Sequence, residues 1–151
     1  MNFRIICLLL TTLFVAGCAT NNSRLKLEDL PNGSISLSSM TPDLNTPLTK
    51  DSIIVANLDY EVEESDISKV RIFAQFATNK THTTFDGDFP SKDELKISNR
   101  KGKAVIEFPL SYVWSKERLK RPIQVHFNLA YKIGNGGSIV LGQTGKYTYE
   151  N

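Results

Sequence analysis

From Ser34 to the C-terminus, hydrophobic and polar residues alternate with a period of two, the pattern of strands that bury one face. Ile35 and Leu37 open a first short strand. Ser52 to Val62 places Ile54, Ala56, Leu58, Tyr60 and Val62 on one face, with Asn57, Asp59 and Glu61 on the other. Lys69 to Ala77 sets Val70, Ile72, Ala74 and Phe76 against Arg71, Phe73 and Gln75. Ala104, Ile106, Phe108 and Leu110 share a face further on, and Pro109 marks a sheet edge or the end of that strand. A long hairpin closes the chain. Its first arm has Ile123, Val125, Phe127, Leu129, Tyr131 and Ile133 inward, and Gln124, His126, Asn128 and Lys132 outward. Gly134-Asn135-Gly136-Gly137 supplies a tight connection, and Ser138 to Tyr149 returns with a break at Gly142 to Gly145.

The connections fit the same picture. Thr41 to Lys50 holds Pro42 and Pro47, each lacking a ladder donor. Between Thr78 and Ser98 the β-branched run Thr81 to Phe85 suits a short strand. Asp86-Gly87-Asp88 suits a turn, and Ser91 to Glu94 fits a capping box. Ser111 to Arg121 reads as a crossover loop. About seven strands at this spacing, with almost no helix, predict an all-β fold, an antiparallel β-sandwich. The layout resembles immunoglobulin-like and fibronectin type III domains. It departs from true immunoglobulin domains in having no cysteine pair and in placing Trp114 outside the third strand. A transthyretin-like sandwich or a small β-barrel is the alternative arrangement.

The first eighteen residues follow different rules. Arg4 precedes an apolar run of about 12 residues, Ile5 to Ala16, too short to span a hydrocarbon core that needs about 20. The run ends in Val15-Ala16-Gly17-Cys18. This end resembles a bacterial lipoprotein signal, whose lipobox finishes small–small–Cys. The resemblance implies cleavage before Cys18, a diacylglycerol on its sulfur and acylation of its new α-amine. Ala19 after the cysteine resembles the class sorted to the outer membrane, facing the periplasm. Two or three acyl chains hold a protein stably in its leaflet, where one gives only marginal binding. The expected organisation is a signal peptide over 1–17, a lipidated N-terminus and flexible tether over 18–33, and a β-sandwich over 34–151. A tether of about 15 residues has a root-mean-square span of roughly 20 Å and reaches about 50 Å at most.

Composition narrows the function further. Arg4 is the only charge in residues 1–17, so the mature chain carries 17 basic and 16 acidic side chains. That balance excludes the basic stripe of a nucleic-acid binder. The two cysteines are Cys7, inside the signal, and Cys18, so neither a disulfide nor a thiol nucleophile is expected. His82 and His126 share no metal-ligand spacing and read as surface histidines. Asp86 and Asp88 supply too few carboxylates for a calcium loop. The carboxylates Asp59, Glu61, Glu63 and Glu64 read as a solvated strand face, there is no G-x-S-x-G elbow, and Gly134 to Gly137 lacks a phosphate-loop continuation. Neither an enzyme, a cofactor nor a metal site is expected.

Two features point to binding. Phe73 lies between Arg71 and Gln75 on the outward face of its strand, where an apolar side chain can mark a partner site. Trp114 shares the crossover with Arg118 and Arg121, and Trp and Arg are enriched at binding hot spots. The expectation is a protein-binding accessory or assembly subunit of a cell-envelope complex. The alternative is an envelope lipoprotein that binds glycan or a small ligand in an aromatic pocket using Tyr112, Trp114 or Tyr131.

Overall fold

The structure, a computed structural model, describes residues 32–63, 66–78, 95–133 and 137–149. Two antiparallel sheets pack face to face and do not close into a barrel. The first contains β1 (Gly33–Thr41), β2 (Ile53–Val62) and β5 (Lys101–Pro109) in the order β1-β2-β5. The second contains β3 (Val70–Phe76), β4 (Leu95–Lys96), β6 (Gln124–Ile133) and β7 (Gly137–Gln143) in the order β4-β3-β6-β7, with β8 (Tyr147–Thr148) also paired to β6. In a constant-type immunoglobulin domain the fourth strand joins the first two. Here it pairs with β3 instead.

The period-two reading sets the core. Ile54, Ala56, Leu58, Tyr60 and Val62 from β2 face Val70, Ile72, Ala74 and Phe76 from β3, all buried. Phe76 and Phe108 stack across the two sheets with centroids 4.7 Å apart. Pro109 both ends β5 and lies on a sheet edge. β1 is longer than the two hydrophobic positions suggest. It runs to Thr41, with a register shift between Leu37 and Ser39 that breaks its alternation. The return arm of the hairpin breaks after Gln143. Thr144 fills the gap by donating its N–H to Phe127 O and accepting Phe127 N–H on its hydroxyl, both at 3.0 Å.

The pairing sorts the connections to two ends of the sandwich. Gly33 opposes Val62 and Lys101 opposes Glu61 at the end where the N-terminal segment joins. Thr41 opposes Val55 and Ile53 opposes Pro109 at the other, roughly 30 Å away for strands of this length. Leu48, Leu110, Val113 and Leu119 plug that far end. Tyr149 ties it together by donating its hydroxyl to Pro42 O at 3.1 Å and its N–H to Ile123 O at 2.9 Å. Burial, together with Asp43, pushes its phenol up to about 12. Residues 1–31, which include Cys18 and the segment expected to be a signal, lie outside the described residues. So do Thr81 to Phe85, His82, Asp86, Asp88 and the capping box at Ser91 to Glu94.

Candidate functional site

The crossover from β5 to β6 carries the aromatic and basic residues singled out from the sequence, and it sits at the far end. It opens with a 3-10 turn over Leu110–Tyr112, directly after Pro109 and the last ladder bond from Leu110 N–H to Ser52 O. Leu110, Val113 and Leu119 point into the core and pin the segment, while an antiparallel bridge joins Leu119 to Thr78. With its apolar residues turned in, the loop turns Lys116, Glu117 and Arg121 out. Trp114 is half-buried against the core. The Arg121 guanidinium lies over its ring, 4.2 Å from the centroid, and donates through Nη2 to Trp114 O at 3.2 Å. A guanidinium over an indole face is a favourable cation–π arrangement. Trp114, Lys116, Glu117 and Arg121 line a shallow hollow beside it. Tyr112 is 48% exposed and meets Phe108 edge-on.

The other aromatic candidates lie elsewhere. Phe73 does sit on the outward face of β3, half-buried rather than exposed, directly opposite Asn128. It belongs to the middle of a sheet and the Trp114 loop to the far end, so the two are separate features. Tyr131 pairs with Val70 at the end where the N-terminal segment joins, with Lys69 5.7 Å from its ring. Tyr112 and Trp114 thus share the far end, and Tyr131 lies at the opposite one.

The outward face of the second sheet corrects one expectation. His126 and Asn128 are only 2% and 0% exposed, although the alternation places them away from the core. β6 has β3 on one side and β7 with β8 on the other, and long side chains from those neighbours close over it. Asn128 donates to Gln75 Oε1 at 2.9 Å and accepts from Gln143 Nε2 at 2.9 Å. His126 Nε2 lies 3.0 Å from both Gln75 Oε1 and Gln143 Nε2. One ring nitrogen serves a carbonyl only as N–H and an amide only as a lone pair, so the tautomer selects the partner. Burial, reinforced by the charge of Lys146, lowers the imidazole to about 4, which keeps it neutral near pH 7. The four side chains brace three strands. In sequence, the cue to this burial is the central position of β6, which only the pairing order reveals.

Among the described residues no group of three or more His, Cys, Asp or Glu side chains is placed to hold a metal ion. The far-end loop offers a fixed aromatic ring, a stacked guanidinium and a surplus of positive charge. Such groups can meet an acidic surface. A scan of protein-family models finds none that matches this chain, and a search of curated proteins finds no relative.

Proposed function

We propose that the chain is a lipid-anchored envelope protein whose β-sandwich binds another protein, as an accessory or assembly subunit at the periplasmic face of the outer membrane. The anchor rests on the lipobox-like end Val15 to Cys18. The binding site is the β5–β6 crossover, and the observation that carries it is the Trp114–Arg121 pair at 4.2 Å, held by a buried base. Lys116, Arg118, Lys120 and Arg121 outnumber Glu117 there, so the partner's surface is acidic. The loop stands at the end of the sandwich opposite the one where Gly33 begins β1. Arg121 already covers one indole face that a sugar could stack on, which favours protein over sugar.

A photo-reactive residue in place of the exposed Tyr112 tests this in intact cells. It should capture one discrete protein, and the additional change Trp114→Ala should abolish that capture. The same pattern from a probe at Val140, exposed on β7, or no discrete product from Tyr112, would count against the site. Intact mass of the extracted protein tests the anchor separately. A chain beginning at Cys18 with acyl mass supports it, and a chain beginning elsewhere or without that mass refutes it.

A further inference from the structure

The two lateral sides of the sandwich are built differently. On one, β1 lies against β7. A Cβ added to Gly142 would come within 2.9 Å of Gly33 O, and one added to Gly33 within 3.0 Å of Leu141 Cβ, so glycine lets the two strands meet there. On the other side β5 ends its sheet, and among the described residues no strand pairs its far edge. β5 is free of bulges: its register with β2 runs unbroken from Ile53–Pro109 to Glu61–Lys101. A straight nine-residue edge is a template for another strand.

Hydrogen bonds at the two ends of the ladder fix which residues face that edge. Val62 N–H donates to Arg100 O at 2.7 Å, and Leu110 N–H donates to Ser52 O at 2.9 Å. In this register the even-numbered residues of β5 bond to β2, so Lys101, Lys103, Val105 and Glu107 direct their backbone groups outward. Their side chains share the solvent face, where Val105 is 51% exposed.

We propose that β5 pairs with β5 of a second copy of this chain, antiparallel and centred on Val105. In that register Val105 meets its own counterpart, and Lys103 faces Glu107 of the second copy, twice by symmetry. Lys101, already held by Glu61 at 2.8 Å, comes opposite Pro109, which has no N–H and ends the ladder. Centring the pair on Lys103 or on Glu107 sets like charges face to face, which disfavours those registers. On the inner face Ala104 comes opposite Ile106 of the second copy, and the added strand covers the apolar hollow bordered by Leu95, Val105, Ile106 and Pro109.

The test uses the full chain with Val105→Cys under mild oxidation. Opposed residues of a hydrogen-bonded antiparallel pair have Cα atoms about 5.5 Å apart, inside the range a disulfide accepts. Val140→Cys is the control, equally exposed at 51% but on β7, and carries the same Cys7 and Cys18. Disulfide-linked dimer should form at least about tenfold more from Val105→Cys than from the control. Adding Lys103→Glu opposes carboxylates at two positions and should cut capture about tenfold, and adding Glu107→Lys as well should restore it. Three results would overturn the proposal: capture no greater than the control, a cross-link to a different protein, or a Lys103→Glu loss that Glu107→Lys fails to repair.

Discussion

The inner and outer faces of the five-stranded sheet are both buried at β6, yet by different physics. Inside, Ile123, Val125, Phe127 and Leu129 meet the side chains of the other sheet and are fully covered. That burial is non-directional and depends on filling volume. Outside, His126 and Asn128 are covered by Gln75 and Gln143; Asn128 bonds to both glutamines, and His126 Nε2 bonds to whichever one its tautomer selects. That burial depends on every partner being present. Low exposure on both faces thus singles out β6, and only the chemistry of the neighbours separates core from brace.

The contrast is broken most severely from the inside. Phe76→Ala removes a fully buried ring that stacks on Phe108 and should cost about 3–5 kcal/mol, measured by urea denaturation with Trp114 fluorescence as the probe. A volume-conserving change there should cost far less, because nothing directional is lost.

Acid should act on the outside alone. His126 titrates near 4 when folded, against about 6.5 when unfolded. Between those values the unfolded chain binds a proton that the folded chain refuses, so stability falls as the pH drops through this window and levels off below it. The loss should total up to about 3 kcal/mol, with a slope approaching about 1.4 kcal/mol per pH unit near pH 5–6. His126→Gln should flatten that slope. An unchanged slope would mean that His126 is not the group responsible.

Removing one member of the brace should come next. Asn128→Ala strips a partner from both Gln75 and Gln143 and should cost about 1–3 kcal/mol, more than the lost side-chain area explains. If Asn128→Leu proved as stable as the parent, the outer face would be an ordinary apolar layer and the distinction would fail.

Phe73→Ala should be the mildest change. Its side chain is half-buried on the outward face, so the expected cost is under about 1 kcal/mol. A loss rivalling that of Phe76→Ala would show the two faces exchanged, as a one-residue slip in register would do.

Much of this architecture was legible in the residues themselves. The alternation of Ile54 to Val62 and of Val70 to Phe76 states which face is buried, because a strand's side chains must point to opposite sides. Pro109 announces the end of β5, and the glycines near 142–145 announce the break before β8. The sandwich class is legible in the same way, from the number and spacing of such segments. What the sequence could not state is which strands become neighbours. His126 reads as a surface residue in its own strand, and becomes buried only because β3 and β7 bring Gln75 and Gln143 to either side. Phe73 reads as exposed and becomes half-buried in the same setting. The separation of Trp114 from Tyr131, and the edge of β5 that no strand pairs among the described residues, also follow from strand order. Facing along a strand is fixed by the covalent geometry of consecutive residues. Burial across strands, and the ends and edges of a sheet, depend on contacts between residues far apart in the chain.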